Sequence, residues 1–522
     1  MNLLARIRGM MPTPFNVCLA ILSAIFLILA FPDFEFWFLA YFALIPLFFA
    51  INNEKNSRFA SFVLGWIFGV VFFFGTCWWL THAPVTYAKF PALLAYFLLL
   101  CATLIVGLFP AVFCFFLSLL IKRFGVYAIF AAPFLWTAIE FLRFWITGNN
   151  WNAVGYSQFS DKSLIGLASV GGVLLVSFYI ILINSAFYIS FANRVENYIW
   201  KSLLFAFPYV FIIVPLWANS SIFSNSQNNL DLKGDADVIA IQPNVPMSGL
   251  TENKWLALRK EHVRLAEEAL QKLKTEQTTE EKPTTVIFPE SPMNFMYERD
   301  EEFQKFVGDF AKKNNVSVLF NAAEPDEENK MFFNSAVLVN SEGRKIAQYD
   351  KIYLVPFGES VPAPLQNIMP ALVGSFSYGK EYDLLPFGDA RGGVMICFES
   401  HFPNLSREYV RRGADVLVEM TNDGYLGNTP VLRQHLANAV FRAVETGRPV
   451  VRVTNVGITA YINERGEISD AADVYTEATR TWTISKSNGG QTFYVRYGDW
   501  FAWLCVVVSF GLLASTLWRR RI

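Results

Sequence analysis

Charge is scarce in this sequence. Only 17% of its 522 residues are Asp, Glu, Lys or Arg, and they nearly cancel to a net charge of −1. No basic surplus remains to draw the chain onto nucleic acid. Histidine is scarcer still: the four residues at 82, 262, 401 and 435 form no H-x-x-x-H pair and have no C-x-x-C neighbour. No zinc site is expected, and no metal or other cofactor is implied. Five of the six cysteines lie in long apolar runs, which excludes a disulfide framework and leaves Cys397 alone in polar sequence. What is plentiful is apolar: 53% hydrophobic residues, 16% aromatic ones, and 51 Phe. That balance excludes intrinsic disorder and a wholly soluble chain.

A helix needs about 20 mostly apolar residues to cross the hydrocarbon core. The first 217 residues supply such runs at 15–31, 34–51, 59–80, 90–121, 126–146, 164–192 and 199–217, and an eighth follows at 499–518. The fourth run is over-long and holds Pro110, which predicts a kink or a partly interfacial stretch. No small-residue cleavage site follows the first run, so it reads as a span and not a signal peptide. Eight crossings put both termini on one side. Arg6, Arg8, Lys55, Arg58, Lys122, Arg123, Arg194, Lys201, Arg519, Arg520 and Arg521 fall there; the other face holds Lys89, Lys162 and, at a helix end, Arg143. The asymmetry predicts cytoplasmic termini. The expected organisation is a seven-span membrane domain over 1–217, an extracytoplasmic domain over 218–498, and an eighth span with a basic cytoplasmic tail over 499–522. In a Gram-negative host the middle domain would be periplasmic. Glu140 and Arg143, three apart in the fifth run, read as a local anchor more than as a functional pair.

Residues 218–498 have a different texture. Short β-branched runs at 237–243, 284–290, 316–322, 392–397, 414–420 and 449–455 alternate with helical stretches at 251–275, 300–314 and 430–446. Strands alternating with helices predict α/β layers around a buried sheet. The Asn- and Ser-rich stretch 218–236 suits a linker, and the acidic residues at 324–328 a solvated loop.

A cysteine ending an apolar strand is most simply a buried core residue. Cys397 is different because an unpaired thiol outside the cytoplasm suggests use, and strand ends are where α/β folds gather working groups. A thiol with a pKa near ~8.5 needs a base or a neighbouring cation. Glu290 in VIFPESP and Lys351 in YDKIYLVPFGE end earlier strands. Each alone reads as a solvated terminus; the ordered set Glu, Lys, Cys is far more specific.

The strings FPES, YDKIYLVPFGE, MICFES and TNDGYLGN resemble the nitrilase, or carbon–nitrogen hydrolase, superfamily. With the surrounding spans, the whole chain is similar to its apolipoprotein N-acyltransferase family. TGNNWNAVGYSQ at 147–158, IQPNVP at 241–246, Trp255, LVPFGESVP at 354–362 and RPVVRVTNVGITA at 448–460 add to the likeness. The resemblance implies an αββα sandwich beside a polytopic α-helical membrane domain of eight spans. It makes Glu290 the general base, Lys351 the cationic stabiliser and Cys397 the nucleophile, supported by Glu359 and Glu399. It implies a phospholipid acyl donor, a Cys thioester, and an apolipoprotein acceptor with an N-terminal diacylglyceryl-cysteine, all at the bacterial inner membrane. Phe398 stands where the family often has Tyr, and Tyr425 where the N-D-x-W pattern has Trp. Both departures bear on substrate preference and leave the triad intact.

Substrate contacts are expected from Trp255, Phe398 and Tyr425, and from two apolar stretches. Met293 and Phe295 follow Glu290, and 361–376, with Leu372 and Phe376, follows Glu359. Both stretches suit lipid contact or a gate at the bilayer surface; packing in the domain core is the equal alternative. Two other functions fit parts of the pattern. A membrane-anchored amidase or nitrilase would use the same triad with water as second nucleophile. A transporter with an outer domain would carry midplane charges and broken helices, of which the spans offer little beyond Glu140.

Overall fold

The computed structural model describes residues 10–192, 234–248, 252–276, 282–290, 296–361 and 375–518. They fall into two compact units, divided as Met1–Gln227 with Thr429–Ala437 and Tyr497–Ile522, and Asn228–Asn428 with Asn438–Arg496.

The first unit is helical: α1 (Pro14–Ala30), α2 (Ile45–Asn53), α3 (Arg58–Cys77), α4 (Ala92–Val106), α5 (Leu108–Phe124), α6 (Ala132–Thr147) and α7 (Ala168–Ala192), with Trp500–Trp518 near the chain's end. Five stretches are long and apolar enough to cross a membrane: Arg58–Thr86, Ala92–Phe124, Val126–Thr147, Ala168–Ala192 and Trp500–Leu517. Seven of the eight apolar runs are helical in the described residues. Pro14–Ala30 and Trp37–Asn53 are shorter apolar helices, and the run 199–217 lies outside the described residues. The run at 34–51 splits into a 3₁₀ turn, Trp37–Tyr41, and α2, because Pro46 lacks an N–H and suits only a helix's first turn. The over-long fourth run divides at Gly107 into α4 and α5, three residues before Pro110. α7 carries non-helical torsions at Gly171 and Gly172.

Helices in this unit approach closely where side chains are small. A Cβ on Gly65 would lie 2.4 Å from the Pro110 carbonyl oxygen, and one on Gly69 2.9 Å from the Gly107 Cα. Gly65 and Gly69, one turn apart on α3, thus form the seam with α5 that substitution would push open. Glu140 and Arg143 of α6 are tied to the loop that follows. The Val154 N–H donates to Glu140 Oε1 at 2.9 Å, while Arg143 donates to the Trp151 carbonyl and to Asn150 Oδ1, both at 2.8 Å. Thr429–Ala437 belongs to this unit, although it lies within the stretch 218–498 expected to form the other domain. Gln434 Oε1 accepts from the indoles of Trp79 (3.1 Å) and Trp151 (2.9 Å), and its Nε2 donates to the Thr76 carbonyl at 3.0 Å.

The second unit holds thirteen strands among the described residues. One sheet has the order β13-β1-β2-β3-β4-β5, with β6 beside β4; the other runs β12-β11-β10-β9-β8-β7. In chain order they are β1 (Ala236–Gln242), β2 (Thr284–Ile287), β3 (Ser317–Asp326), β4 (Met331–Val339), β5 (Lys345–Asp350), β6 (Phe376–Ser377) and β7 (Leu384–Phe387). Then come β8 (Ala390–Ile396), β9 (Val416–Thr421), β10 (Val450–Thr454), β11 (Ala460–Ile462), β12 (Ile468–Ser469) and β13 (Ala478–Ile484). β1, β2 and β3 are parallel neighbours, as are β8, β9 and β10. Parallel strands need crossovers, and helices supply them: α8 (Glu252–Glu276) and α9 (Glu301–Asn314) in the first sheet, α10 (Pro403–Arg411) and α11 (Val431–Thr446) in the second. Leu265, Ala266 and Leu270 of α8 and Phe303, Val307 and Phe310 of α9 bury against Ile239, Val286, Val318 and Val337. Between the sheets, Thr454 of β10 donates its hydroxyl to Gln242 Oε1 of β1 at 3.1 Å. Two sheets with helices outside them make the layered α/β domain that the strand–helix alternation predicts.

Candidate active site

The three candidate side chains stand at or just beyond strand ends, where parallel sheets leave a crevice. Glu290 lies three residues beyond β2, Lys351 directly follows β5, and Cys397 directly follows β8. Cys397 turns the chain from β8 into a 3₁₀ turn with φ of +53°, a left-handed conformation costly for a side-chain-bearing residue. Strain of this kind holds a side chain out from the strand end.

Lys351 is fully buried and sits between two carboxylates: its Nζ is 3.4 Å from Glu290 Oε1 and 2.9 Å from Glu359 Oε1. Burial alone would lower its pKa, but Glu290 and Glu359 outweigh that and raise it, so it remains a cation. Cys397 goes the other way. Burial first, and then the Glu290 charge, push its thiol well above the usual range against the pull of Lys351. That shift favours the neutral thiol over the thiolate.

Asn334 organises this cluster. Its Nδ2 donates to Glu290 Oε1 at 3.0 Å and to Glu359 Oε1 at 2.7 Å, and its carbonyl accepts from the Lys351 N–H at 2.9 Å. Asn321 on the neighbouring strand β3 donates to Asn334 Oδ1 at 2.6 Å, fixing which end of the amide faces the carboxylates. The Asn422 N–H donates to Glu290 Oε2 at 3.2 Å, and the Val355 N–H to Glu359 Oε2 at 2.8 Å. Neither asparagine side chain figures in the sequence reading. The signal that could have found Asn334 is a polar residue inside an apolar strand, FFNSAVLV, which must be hydrogen-bonded if buried. Beside the thiol, Thr421 hydrogen-bonds to Cys397 and donates to Asp423 Oδ1 at 3.2 Å. Asp423 in turn pairs with buried Arg452 at 2.9 Å, and Arg452 with Glu419.

Glu399 works on backbone. Its Oε1 accepts from the Tyr349 hydroxyl (2.7 Å), the Ile352 N–H (2.7 Å) and the Tyr353 N–H (3.0 Å), and its Oε2 accepts from the Ile396 N–H (2.8 Å). The residues after Lys351 are thereby tied to the residue before Cys397. Burial pushes the Glu399 pKa up to about 7, against the pull of the Ile396 N–H and Lys351. Three of the four partners are backbone N–H groups that can only donate, so protonating the carboxyl weakens the bonds they make to it. As pH falls through about 7 the tie should loosen and modification of Cys397 should slow. We expect that acid limb in a pH profile of Cys397 acylation, and a uniformly slow, flat profile in Glu399→Gln. A limb unchanged in that variant would assign it to another group.

The expected substrate contacts scatter. Phe398 packs its ring on His401 and Phe402, at 5.4 and 5.2 Å between centroids. Tyr425 is half-buried in the 3₁₀ turn Asp423–Leu426 after β9. Phe376 takes the core alternative: it lies in β6, paired with β4, and is buried with Ala323 and Leu354. β-pairing and apolar neighbours make it core. The Trp255 side chain, Met293, Phe295 and Leu372 lie outside the described residues.

Comparison with known proteins defines the class first. Residues 232–494 match the carbon-nitrogen hydrolase family model, so the second unit is a nitrilase-like domain with its carboxylates, lysine and thiol at strand ends. Residues 23–186 match a second model, the apolipoprotein N-acyltransferase N-terminal domain. The apolipoprotein N-acyltransferase of Geobacter metallireducens is 32% identical over 515 residues, covering 96% of this chain and 95% of that one. The one from Thermotoga maritima is 30% identical, covering 95% and 92%. The chain belongs to the apolipoprotein N-acyltransferase family. Among solved structures, Saccharomyces cerevisiae Nit3 of the nitrilase superfamily superposes with a TM-score of 0.39 at 18% identity, covering 48% of this chain and 90% of that one. The family assignment rests on the sequence matches.

Proposed function

We propose that this membrane protein transfers an acyl chain from a phospholipid, through a thioester on Cys397, to the amine of an N-terminal diacylglyceryl-cysteine on an apolipoprotein. The observation that carries the reading is similarity along nearly the whole chain, membrane unit included, to proteins bearing that activity in their names. A tethered hydrolase would not need the match over 23–186.

The chemistry follows from the charges. The cluster sets two carboxyl groups around the one Lys351 cation, and burial together with Glu290 disfavours a standing thiolate. Glu290 therefore takes the thiol proton as sulfur attacks the ester carbonyl. The carbonyl oxygen becomes an oxyanion beside Lys351, whose buried cation needs no solvent rearrangement to stabilise it. Collapse breaks the ester C–O bond, and the proton held by Glu290 passes to the departing lysophospholipid oxygen. In the second half-reaction the lipoprotein amine attacks the thioester and gives a proton to Glu290. The C–S bond breaks, the thiolate recovers that proton, and an amide remains. Glu359 holds Lys351 and the turn at Val355; Glu399 holds the residues after Lys351 against Cys397.

Incubation with phospholipid labelled in its acyl chain and a diacylglyceryl-cysteine peptide tests the reading. Labelled amide and lysophospholipid should appear in equal amounts. Labelled free fatty acid in place of amide would establish a hydrolase, and no turnover would favour transport.

The reading includes a topology: eight spans in a bacterial inner membrane, both termini cytoplasmic, and the catalytic domain, 218–498, periplasmic. Its support is the basic asymmetry of the loops. Cysteine placed at Ser226 should react with a membrane-impermeant thiol reagent once the outer membrane is opened. Labelling that requires lysis of the inner membrane would reverse the orientation.

A further inference from the structure

Acyl transfer through Cys397 gives its sulfur negative charge twice: as it attacks the donor ester, and again as the lipoprotein amine expels it. A charged sulfur in a buried site is stabilised by a hydrogen-bond donor. β8 and β9 run parallel with Ile396 opposite Met420, so Cys397 and Thr421, next along each, stand abreast at the strand ends. Thr421 is fully buried and hydrogen-bonds to Cys397. Its hydroxyl also donates to Asp423 Oδ1 at 3.2 Å. A hydroxyl has one proton, which it gives to one of these partners at a time. Asp423 is fixed in place. Its Oδ2 accepts from Arg452 at 2.9 Å, and Arg452, opposite Glu419 in the register of β10 with β9, pairs with Glu419 as well. Gly457 leaves room for that carboxylate, since a Cβ there would collide with Asp423 Oδ2.

Resting on the acyl-transfer reading, we propose that Thr421 is a further catalytic residue, whose hydroxyl turns from Asp423 to the sulfur whenever Cys397 carries negative charge. A protonated or acylated sulfur is a poor acceptor, and in those states the carboxylate takes the hydrogen bond. As Glu290 removes the thiol proton, rotation about the Thr421 Cβ–Oγ bond brings the donor to the sulfur. In the second half-reaction the amine adds to the thioester carbonyl, the C–S bond breaks and its electron pair goes to sulfur. Thr421 then donates a hydrogen bond to that sulfur until Glu290 returns the proton. The proton of Thr421 never leaves its own oxygen. Asp423, held by Arg452, keeps the hydroxyl partnered between these moments, as burial requires.

The test uses the full chain in phosphatidylethanolamine vesicles. Thr421→Val removes the hydroxyl at nearly the same shape, and Thr421→Ser keeps it. Glu290, Lys351, Asp423 and Arg452, the charged groups that face Cys397, stay unchanged in both. A hydrogen bond to a charged group shifts the thiol–thiolate balance by about tenfold or more. The more basic sulfur is also the better nucleophile, which takes back part of that, so iodoacetamide should alkylate Cys397 about threefold or more slowly in the Val variant. Release of a preloaded acyl group to a diacylglyceryl-cysteine peptide should slow by about tenfold, because the departing thiolate has lost its donor. The Ser variant should restore both rates. Thr421→Ala, which also lacks the hydroxyl, stands in if the Val variant does not fold. Alkylation at the parent rate in a folded variant without the hydroxyl overturns the proposal, and so does a loss that Ser fails to restore. No acyl adduct on the parent overturns the acyl-transfer reading and this role with it, even where alkylation follows the hydroxyl.

Discussion

Replacing Lys351 by Met should abolish measurable acylation and destabilise the domain in one step. The side chain has no exposed surface and is the cation that Glu290 and Glu359 share at 3.4 and 2.9 Å. Removing it leaves two buried carboxylates with no cation between them, their Oε1 atoms sharing only Asn334 Nδ2. Breaking a buried pair by deleting one partner costs about 3–5 kcal/mol. Protonation of one carboxylate would recover part of that cost and disable the base as well. The oxyanion loses its stabiliser too, and a single such donor is worth about 10²–10³ in rate. Single-turnover acylation should therefore fall by at least about a thousandfold, with a lower midpoint of thermal unfolding. Lys351→Arg keeps the charge but must fit a larger, planar group into a fully enclosed site, so it should recover stability more than rate. A Met variant within tenfold of the parent would remove Lys351 from the mechanism.

Glu290→Gln separates two effects that usually move together. The carboxylate is the second cause, after burial, of the raised Cys397 pKa. Neutralising it should lower that pKa and raise the thiolate fraction at neutral pH, so iodoacetamide should alkylate Cys397 at least as fast as in the parent. Acylation should move the opposite way, by about 10²–10⁴, because no group then takes the thiol proton and returns it to the leaving oxygen. Faster alkylation with slower acylation is the signature of a lost base. A fall in both would instead assign Glu290 a mainly structural part, through its bonds to Asn334 and the Asn422 N–H.

The spans and the strand–helix alternation were legible because burial imposes a period, and a period survives in sequence. Glu290, Lys351 and Cys397 were legible because each ends an apolar run, where a polar residue stands out. Asn334 and Asn321 were not, for they meet only through the antiparallel pairing of β4 with β3, a register no local pattern carries. Glu399 came from the family resemblance alone, since its donors, from residues 349–353 and 396, are likewise gathered by the fold. The segment Trp37–Asn53 reads as one apolar run by hydropathy, yet Pro46 starts a new helix inside it, a backbone fact that composition averages away. Nothing in the local sequence marks Gln434, which two indoles and a carbonyl from the first 151 residues enclose. For Phe376 the apolar stretch left lipid contact and core packing equally open, and pairing with β4 makes it core.

The central claim is that Cys397 carries the acyl group between donor and acceptor. The most direct measurement incubates the protein with phospholipid alone, with no lipoprotein acceptor, and weighs the intact chain. The account predicts a single added acyl group, localised to Cys397, released by neutral hydroxylamine and absent from Cys397→Ala. An adduct that persists in that variant, or one that resists hydroxylamine, would contradict it.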